Sequence, residues 1–417
     1  MDNKEMDNKK KIKVLYINAL YWGGGAEKIA RQLYMGVGEY DISCFFMSGR
    51  YQKNVPKDVK VIYNNLFERV ISVLAARQNH NFLYKTYIAR KKILQFIKKE
   101  RVDIVHFHNM HGNYFGPEDL EEIRKACPNI VITMHDMWMI TGCCPYEMQC
   151  KEWEYDKNCQ NCCGNEWLQE QVKKANDYLL CKSKAYGRKS ICFVSPSQWL
   201  IDCCSKSYLK NETIHLIPNG VNTSIYHPLD KSKLRKKYGI AQNKHVIMFA
   251  ANNIKHPYKG FKYLCEALDR IKDKENYCLL SVGNDSKKIE QMEYQFFSPG
   301  YVRDENVMNE MYALADVYIS VSVADNFPLV ILESMAAGTP VIAFNTGGIP
   351  EIVNDEVGWI VEQRDVDSLV NMIEKVFTDD MEYADKQKKC REYIMNYLSE
   401  EIMLKKYADL YYKMCKN

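Results

Sequence analysis

Asp325 and Glu333 stand either side of Pro328 in the stretch DVYISVSVADNFPLVILESMAAGTPVIAFNTGGIPEIV, residues 316–353. Proline suits the first position of a helix, so a helix is expected to open at Pro328 and to stop at Gly338. A helix start offers unpaired N–H groups, here those of Leu329 and Val330, and a partial positive charge; together they accept phosphate. Glu333 lies roughly 7–8 Å further along the axis, at about 1.5 Å per residue. A carboxylate there can take both hydroxyls of a ribose whose phosphates rest at the helix end. Asp325, in the preceding turn with Asn326 and Phe327, falls on the far side of the phosphates, where a group carried by a nucleotide would sit. The bland alternative is an ordinary helix carboxylate preceded by an N-cap.

The elements around these residues follow from periodicity. Residues 317–323 form a β-branched apolar run of strand length, 339–344 a second one, and Gly347-Gly348-Ile349-Pro350 a tight turn. Strand, helix and strand in succession imply parallel strands with a ligand crevice at their C-terminal ends. The same alternation recurs upstream. Residues 13–20 read as a strand that runs into Gly23-Gly24-Gly25, a loop whose glycines allow close backbone approach, and then a helix to about Tyr34. Residues 102–107 lead to His106 and His108, which share one strand face as a metal pair would. No carboxylate or cysteine follows at ligand spacing, which favours crevice lining. Residues 131–134 deliver His135-Asp136-Met137-Trp138 to the same rim. Further strands are expected at 191–195, 214–217, 246–250, 277–282 and 358–361, and Asp365 is expected to cap a helix rather than bind metal.

The 316–353 phrase resembles the donor-site signature of retaining glycosyltransferase family 4, an acidic residue and a glutamate separated by seven residues, with Asp325 where the family has glutamate. The HDMW phrase and the cysteine insertion resemble the subgroup that assembles capsule and exopolysaccharide, colanic acid among them. This likeness implies an α/β protein of the GT-B fold: two Rossmann-like doubly wound parallel-sheet domains facing a central cleft, with a C-terminal helix crossing back to the first. It implies catalytic roles for His135, Asp325 and Glu333. Donor contacts are implied for Gly24, Gly25, Lys259, Tyr301, Val302, Asn326, Phe327, Leu329, Val330 and Glu333. Asn253 stands where the family has an arginine, with Lys255 or His256 available to compensate. His108, Asp136 and Trp138 are implied on the acceptor side.

Length and composition are consistent with this plan. The 417 residues suffice for two domains, and 47% hydrophobic content suffices for a core in each. With 57 basic against 53 acidic side chains the net charge is +4, no nucleic-acid footprint. No apolar run reaches the length of a transmembrane span, and no signal peptide is expected. The 16 cysteines then read as thiols of a cytoplasmic protein. Cys144, Cys150, Cys159 and Cys162 form a candidate structural zinc set, although their spacing is not that of a standard finger. Residues 84–101 read as a helix with a dense basic face, either solvated or docked on an anionic membrane.

The expected organisation is a tail at 1–10, an acceptor-side domain at 11–227 with the cysteine insertion at 141–164, a donor domain at 228–396, and a returning helix at 397–417. The expected activity is metal-independent transfer of a hexose, with retention, from a UDP- or GDP-linked sugar to a glycan acceptor, lipid-linked, in cell-surface polysaccharide assembly. No further cofactor is needed for it. The alternatives are a catalytically silent nucleotide-sugar-binding scaffold and a GT-B sugar-nucleotide epimerase.

Overall fold

The computed structural model describes residues 11–78, 87–112, 114–160, 172–187, 191–253, 256–284 and 292–416. The apolar runs become strands of two all-parallel sheets. The first contains β1 (Ile12–Asn18), β2 (Ile42–Ser48), β3 (Lys60–Val61), β4 (Ile104–Phe107), β5 (Ile130–Thr133), β6 (Ile191–Ser195) and β7 (Ile214–Leu216) in the order β3-β2-β1-β4-β5-β6-β7. The second contains β8 (His245–Asn253), β9 (Tyr277–Asn284), β10 (Gln295–Gly300), β11 (Val317–Ser320), β12 (Val341–Phe344) and β13 (Trp359–Val361) in the order β10-β9-β8-β11-β12-β13. β4, β5, β11 and β12 are buried at every residue, as expected of parallel strands covered by helices on both faces.

Strand order reverses between β1 and β4 in one sheet and between β8 and β11 in the other. Loops leaving the C-terminal ends of such neighbours diverge and open a crevice. Those loops carry Gly24, His108, Lys259 and Asp325, so topology alone gathers residues far apart in the chain.

The lobes are tied together. One buried apolar cluster includes Val14 and Ile29 of the first lobe, Leu332 and Met335 of the second, and Tyr407 and Tyr411 of the last helix, Glu400–Lys416. That helix lies against the first lobe: Tyr411 Oη is 2.7 Å from His106 Nδ1, and Tyr407 Oη is 2.8 Å from Thr133 Oγ1. It is seated by backbone bonds from Val221 N to Leu398 O and from Glu400 N to Val221 O. The basic run at 231–237 is a helix, Lys231–Tyr238. Lys231 and Arg235 both reach Asp316, at 2.7 and 2.5 Å, and fix the start of β11.

Two of the boundary differences from expectation flank the turn that holds Asp325. β11 ends at Ser320 rather than at Val323, because Val323 N turns aside to bond Tyr258 O at 2.7 Å. Pro328 is the N-cap of the helix Leu329–Ala336, not its first residue. Gly338 follows its end with φ +80°, the left-handed stop that glycine permits. Asp365 caps the helix Val366–Lys375 through Ser368 N. The helix Leu66–Gln78 has no counterpart in the sequence reading. The expected tail at 1–10 lies outside the described residues.

Candidate active site between the lobes

Asp325 and Asn326 sit on the loop between β11 and the helix Leu329–Ala336, and both are buried. Two glycines let this loop pack tightly. A Cβ on Gly347 (φ +56°) would fall 1.8 Å from Asp325 O, and one on Gly348 would fall 2.0 Å from Asn326 O. Lys259 Nζ reaches Asp325 Oδ2 at 2.8 Å and remains about one third exposed. Gly260 behind it is forced by the same crowding, since a Cβ there would lie 1.8 Å from Val321 O. A lysine ammonium, a carboxylate and the first amides of a helix thus share one end of the second sheet.

The first lobe closes over this end. Gly25 faces the helix start, its Cβ position 3.7 Å from Leu329 Cδ1. Asn326 Nδ2 donates to His135 O at 3.1 Å, and Ser197 Oγ bonds the Asn326 side-chain oxygen. Asn219 Nδ2 donates to Phe327 O at 3.0 Å. Glu351 of the second lobe accepts from Gln198 N and Trp199 N, both at 2.7 Å, at the start of the helix Gln198–Ser205. A carboxylate at a helix N-terminus is favourable both as hydrogen-bond acceptor and as charge.

Glu333 points into the interlobe gap. Its Oε1 receives Lys28 Nζ at 2.8 Å, and its Oε2 accepts from Tyr312 Oη at 3.0 Å. Lys28 belongs to the first-lobe helix Gly25–Gly36 and also meets Glu305 Oε1 at 2.5 Å and Tyr226 Oη at 3.0 Å. Burial pushes the Lys28 ammonium down, but Glu333, Tyr226 and Glu305 outweigh it and its pKa rises above 10.5. Sequence reasoning missed Lys28. Its signal was its place one turn into the helix opened by the glycine loop.

The histidines separate into different roles. Both ring nitrogens of His106 are bonded, to Tyr411 Oη and Thr133 Oγ1, which leaves no lone pair free for a metal. His108 is buried and its Nδ1 lies 2.9 Å from His135 Nε2. Burial lowers His106 and His108 well below 6.5 and lowers His135 to about 4. Asp136 Oδ1 accepts from Trp138 N at 2.8 Å, and its Oδ2 lies 3.5 Å from His111 Nε2. Trp138 is buried, with the Lys182 ammonium 4.0 Å from the centre of a ring. Lys182 Nζ also donates to Trp138 O and Gly142 O, and burial brings its pKa down to about 7. Tyr146 was not anticipated either. Its ring meets Tyr258 edge-on at 5.0 Å, and burial, together with the nearby Asp325, pushes its phenol well above 10.

The zinc expectation is not supported. Among the described residues no group of three or more His, Cys, Asp or Glu side chains could hold a metal ion. Cys144 and Cys159 lie instead within electrostatic reach of the buried Lys182 ammonium, a cation that disfavours a dication beside it. Cys162 and the rest of the insertion from 161 lie outside the described residues, as do Lys255 and residues 84–86. Asn253 ends β8, Tyr301 is exposed, and Val302 packs half-buried on the interlobe cluster.

Comparison with known proteins agrees with this geometry. A family model described as Glycosyltransferase Family 4 matches residues 23–225, and one described as Glycosyl transferases group 1 matches residues 230–396. The chain is 24% identical over 428 residues to the UDP-Gal:alpha-D-GlcNAc-diphosphoundecaprenol alpha-1,3-galactosyltransferase of Escherichia coli, covering 98% of each protein. It is 23% identical over 290 residues to WcaC of Escherichia coli strain K12, a glycosyl transferase named for colanic acid biosynthesis. That match covers 64% of this chain and 66% of WcaC. The solved structure of sucrose-phosphate synthase from Thermosynechococcus elongatus has a TM-score of 0.75 at 16% identity, covering 96% of this chain and 99% of that one, a likeness of fold. Two parallel-sheet lobes, each matched by its own glycosyltransferase model, make this chain a member of the family 4 glycosyltransferases of GT-B fold.

Proposed function

We propose that the protein transfers a hexose, with retention of anomeric configuration, from a nucleoside-diphosphate sugar to a lipid-linked glycan. The observation that carries this reading is Glu333, which faces the interlobe gap one turn below a helix start flanked by Lys259 and Gly25. The amides of Leu329 and Val330 and the Lys259 ammonium stabilise the departing diphosphate, supplying the positive charge that a divalent ion would otherwise provide. The acceptor oxygen bonds the anomeric carbon on the face from which the diphosphate leaves. The broken C–O bond gives its electron pair to the diphosphate oxygen, which takes the acceptor's proton. Asp325 and His135 hold the sugar, and Glu333 holds the ribose. The name of the galactosyltransferase relative favours a UDP-linked donor and a polyprenyl-diphosphate acceptor.

Such an acceptor lies in a bilayer, and the first lobe offers a surface for one. The helix Leu66–Gln78 exposes Leu66, Phe67, Val70, Val73 and Leu74, which recur on one helical face. It is joined to the basic helix Tyr87–Glu100 by Lys92, 2.6 Å from Glu68 Oε1. An apolar face bordered by cations suits the anionic bilayer interface. No described helix is long and apolar enough to cross a membrane.

The test is product analysis. Purified full-length protein is incubated with UDP- and GDP-hexoses and an undecaprenyl-diphosphate-linked sugar in vesicles. NMR of the product should show a new glycosidic bond with the donor's anomeric configuration. Inverted product, or epimerised donor without acceptor, would refute the reading.

A further inference from the structure

The rings of His108 and His135 lie 19° from parallel with centroids 5.2 Å apart, while their facing nitrogens, His108 Nδ1 and His135 Nε2, are 2.9 Å apart. They therefore meet edge to edge, aligned for a straight N–H···N bond, and one proton must lie between them. Both rings are driven towards neutrality by burial. Each then carries a single ring proton, and two arrangements remain.

The choice falls on the far nitrogens. His108 Nε2 is fully buried and has no hydrogen-bond partner among the described residues. If His135 donated, the His108 proton would sit on that nitrogen as an orphaned buried N–H. If His108 donates, the buried atom is only an unpaired acceptor, the less severe case. His135 is half-buried, and its Nδ1 is not among the buried unpartnered atoms, so a proton there is open to the crevice.

We propose that His108 is a positioning residue that donates from Nδ1 to His135 Nε2 and so fixes His135 as the Nδ1–H tautomer, a hydrogen-bond donor aimed at the sugar. The tautomer is a property of the folded chain; its consequence for sugar binding rests on the transfer reading above. His135 would then select a sugar oxygen able to accept, and would not act as a base towards it.

The test is nitrogen-15 NMR of the full-length protein labelled at histidine, with signals assigned by replacing His108 and His135 in turn. His135 should carry its proton on Nδ1 in the unaltered protein. His108→Phe, which removes the donor, should mix the two tautomers. His108→Asn, whose amide can stand in for Nδ1–H, should restore the original. Transfer efficiency should fall roughly two- to tenfold in His108→Phe, the worth of one hydrogen bond, and recover in His108→Asn. A proton on His135 Nε2 in the unaltered protein, or an unchanged tautomer in His108→Phe, would overturn the proposal. The first of these readings needs only the His135 replacement for its assignment and stands where a His108 variant fails to fold. The expected tautomers without transfer by any form would sink the enzymatic reading alone.

Discussion

Replacing Lys28 with Met removes the cation that bridges the lobes and leaves Glu333 with Tyr312 Oη as its remaining side-chain donor among the described residues. The pair is 2.8 Å long, with side chains 15% and 8% exposed. At an effective dielectric constant of about 20, charges at that separation attract by roughly 6 kcal/mol before desolvation is subtracted. Breaking a buried pair by deleting one partner costs about 3–5 kcal/mol. The Tyr312 bond, which survives, argues for the lower end, about 3 kcal/mol. At about 2.1 cal/mol/K per residue over the whole chain, that is a Tm lower by roughly 3–4 °C. Calorimetry on Lys28→Met, Glu333→Gln and the double variant would isolate the interaction. The double variant should lose less than the sum of the singles, by about 1.5–3 kcal/mol. Additive losses, or a single variant within about 0.5 kcal/mol of the parent, would mean that the bridge contributes nothing and that Glu333 is held in the gap by something else.

The remaining predictions use other parts of the site. Gly347→Ala puts a methyl group where Asp325 O stands and demands a positive φ, so stability should drop by about 2 kcal/mol or more; Gly25→Ala meets only an ordinary contact and should be nearly neutral in the same melts. Because burial holds His106 and His108 far below 6.5, the unfolded chain takes up more protons as pH falls from about 6.5 towards 4. The unfolding free energy from urea melts should therefore decline over that range, by up to about 1.4 kcal/mol per pH unit for each of these two and for His135, which burial lowers to about 4, and show no such slope above it. Phe67→Glu and Leu74→Glu should each weaken co-sedimentation with phosphatidylglycerol vesicles by about tenfold or more, given about 1.5–3 kcal/mol for burying each side chain; binding to neutral vesicles as strong as to anionic ones would argue against the basic helix taking part.

Much of the plan was legible because it depends on local chemistry. Apolar runs of strand length, a glycine or proline after most of them, and an acidic pair around a helix start are all short-range signals, and parallel-sheet topology then brings their ends together. What was not legible depends on which groups meet across the lobes. Lys28 and Glu333 are 305 residues apart, and the place of Lys28 one turn into the helix after the glycine loop does not reveal its partner in the other lobe. Trp138 and His108 follow strand ends, as the sequence shows, but their contacts with Lys182 and with His135 come from elsewhere in the chain. The cysteine cluster suggested a metal because spacing cannot reveal that a lysine 20 or more residues later would be buried beside the thiols. The helix Leu66–Gln78 turns its apolar stripe outwards, so a reading that assigns such stripes to the core has no way to place it.

Whether Glu333 grips a nucleotide's ribose decides the proposed function. Calorimetric titration of UDP and of 2′-deoxy-UDP into the parent protein and Glu333→Ala would test it directly. The parent should bind UDP and lose roughly 10- to 100-fold for the deoxy nucleotide, as expected for one charge-assisted bond, while the variant should bind both equally weakly. Equal affinities of the parent for the two nucleotides, or undiminished UDP binding by Glu333→Ala, would contradict it.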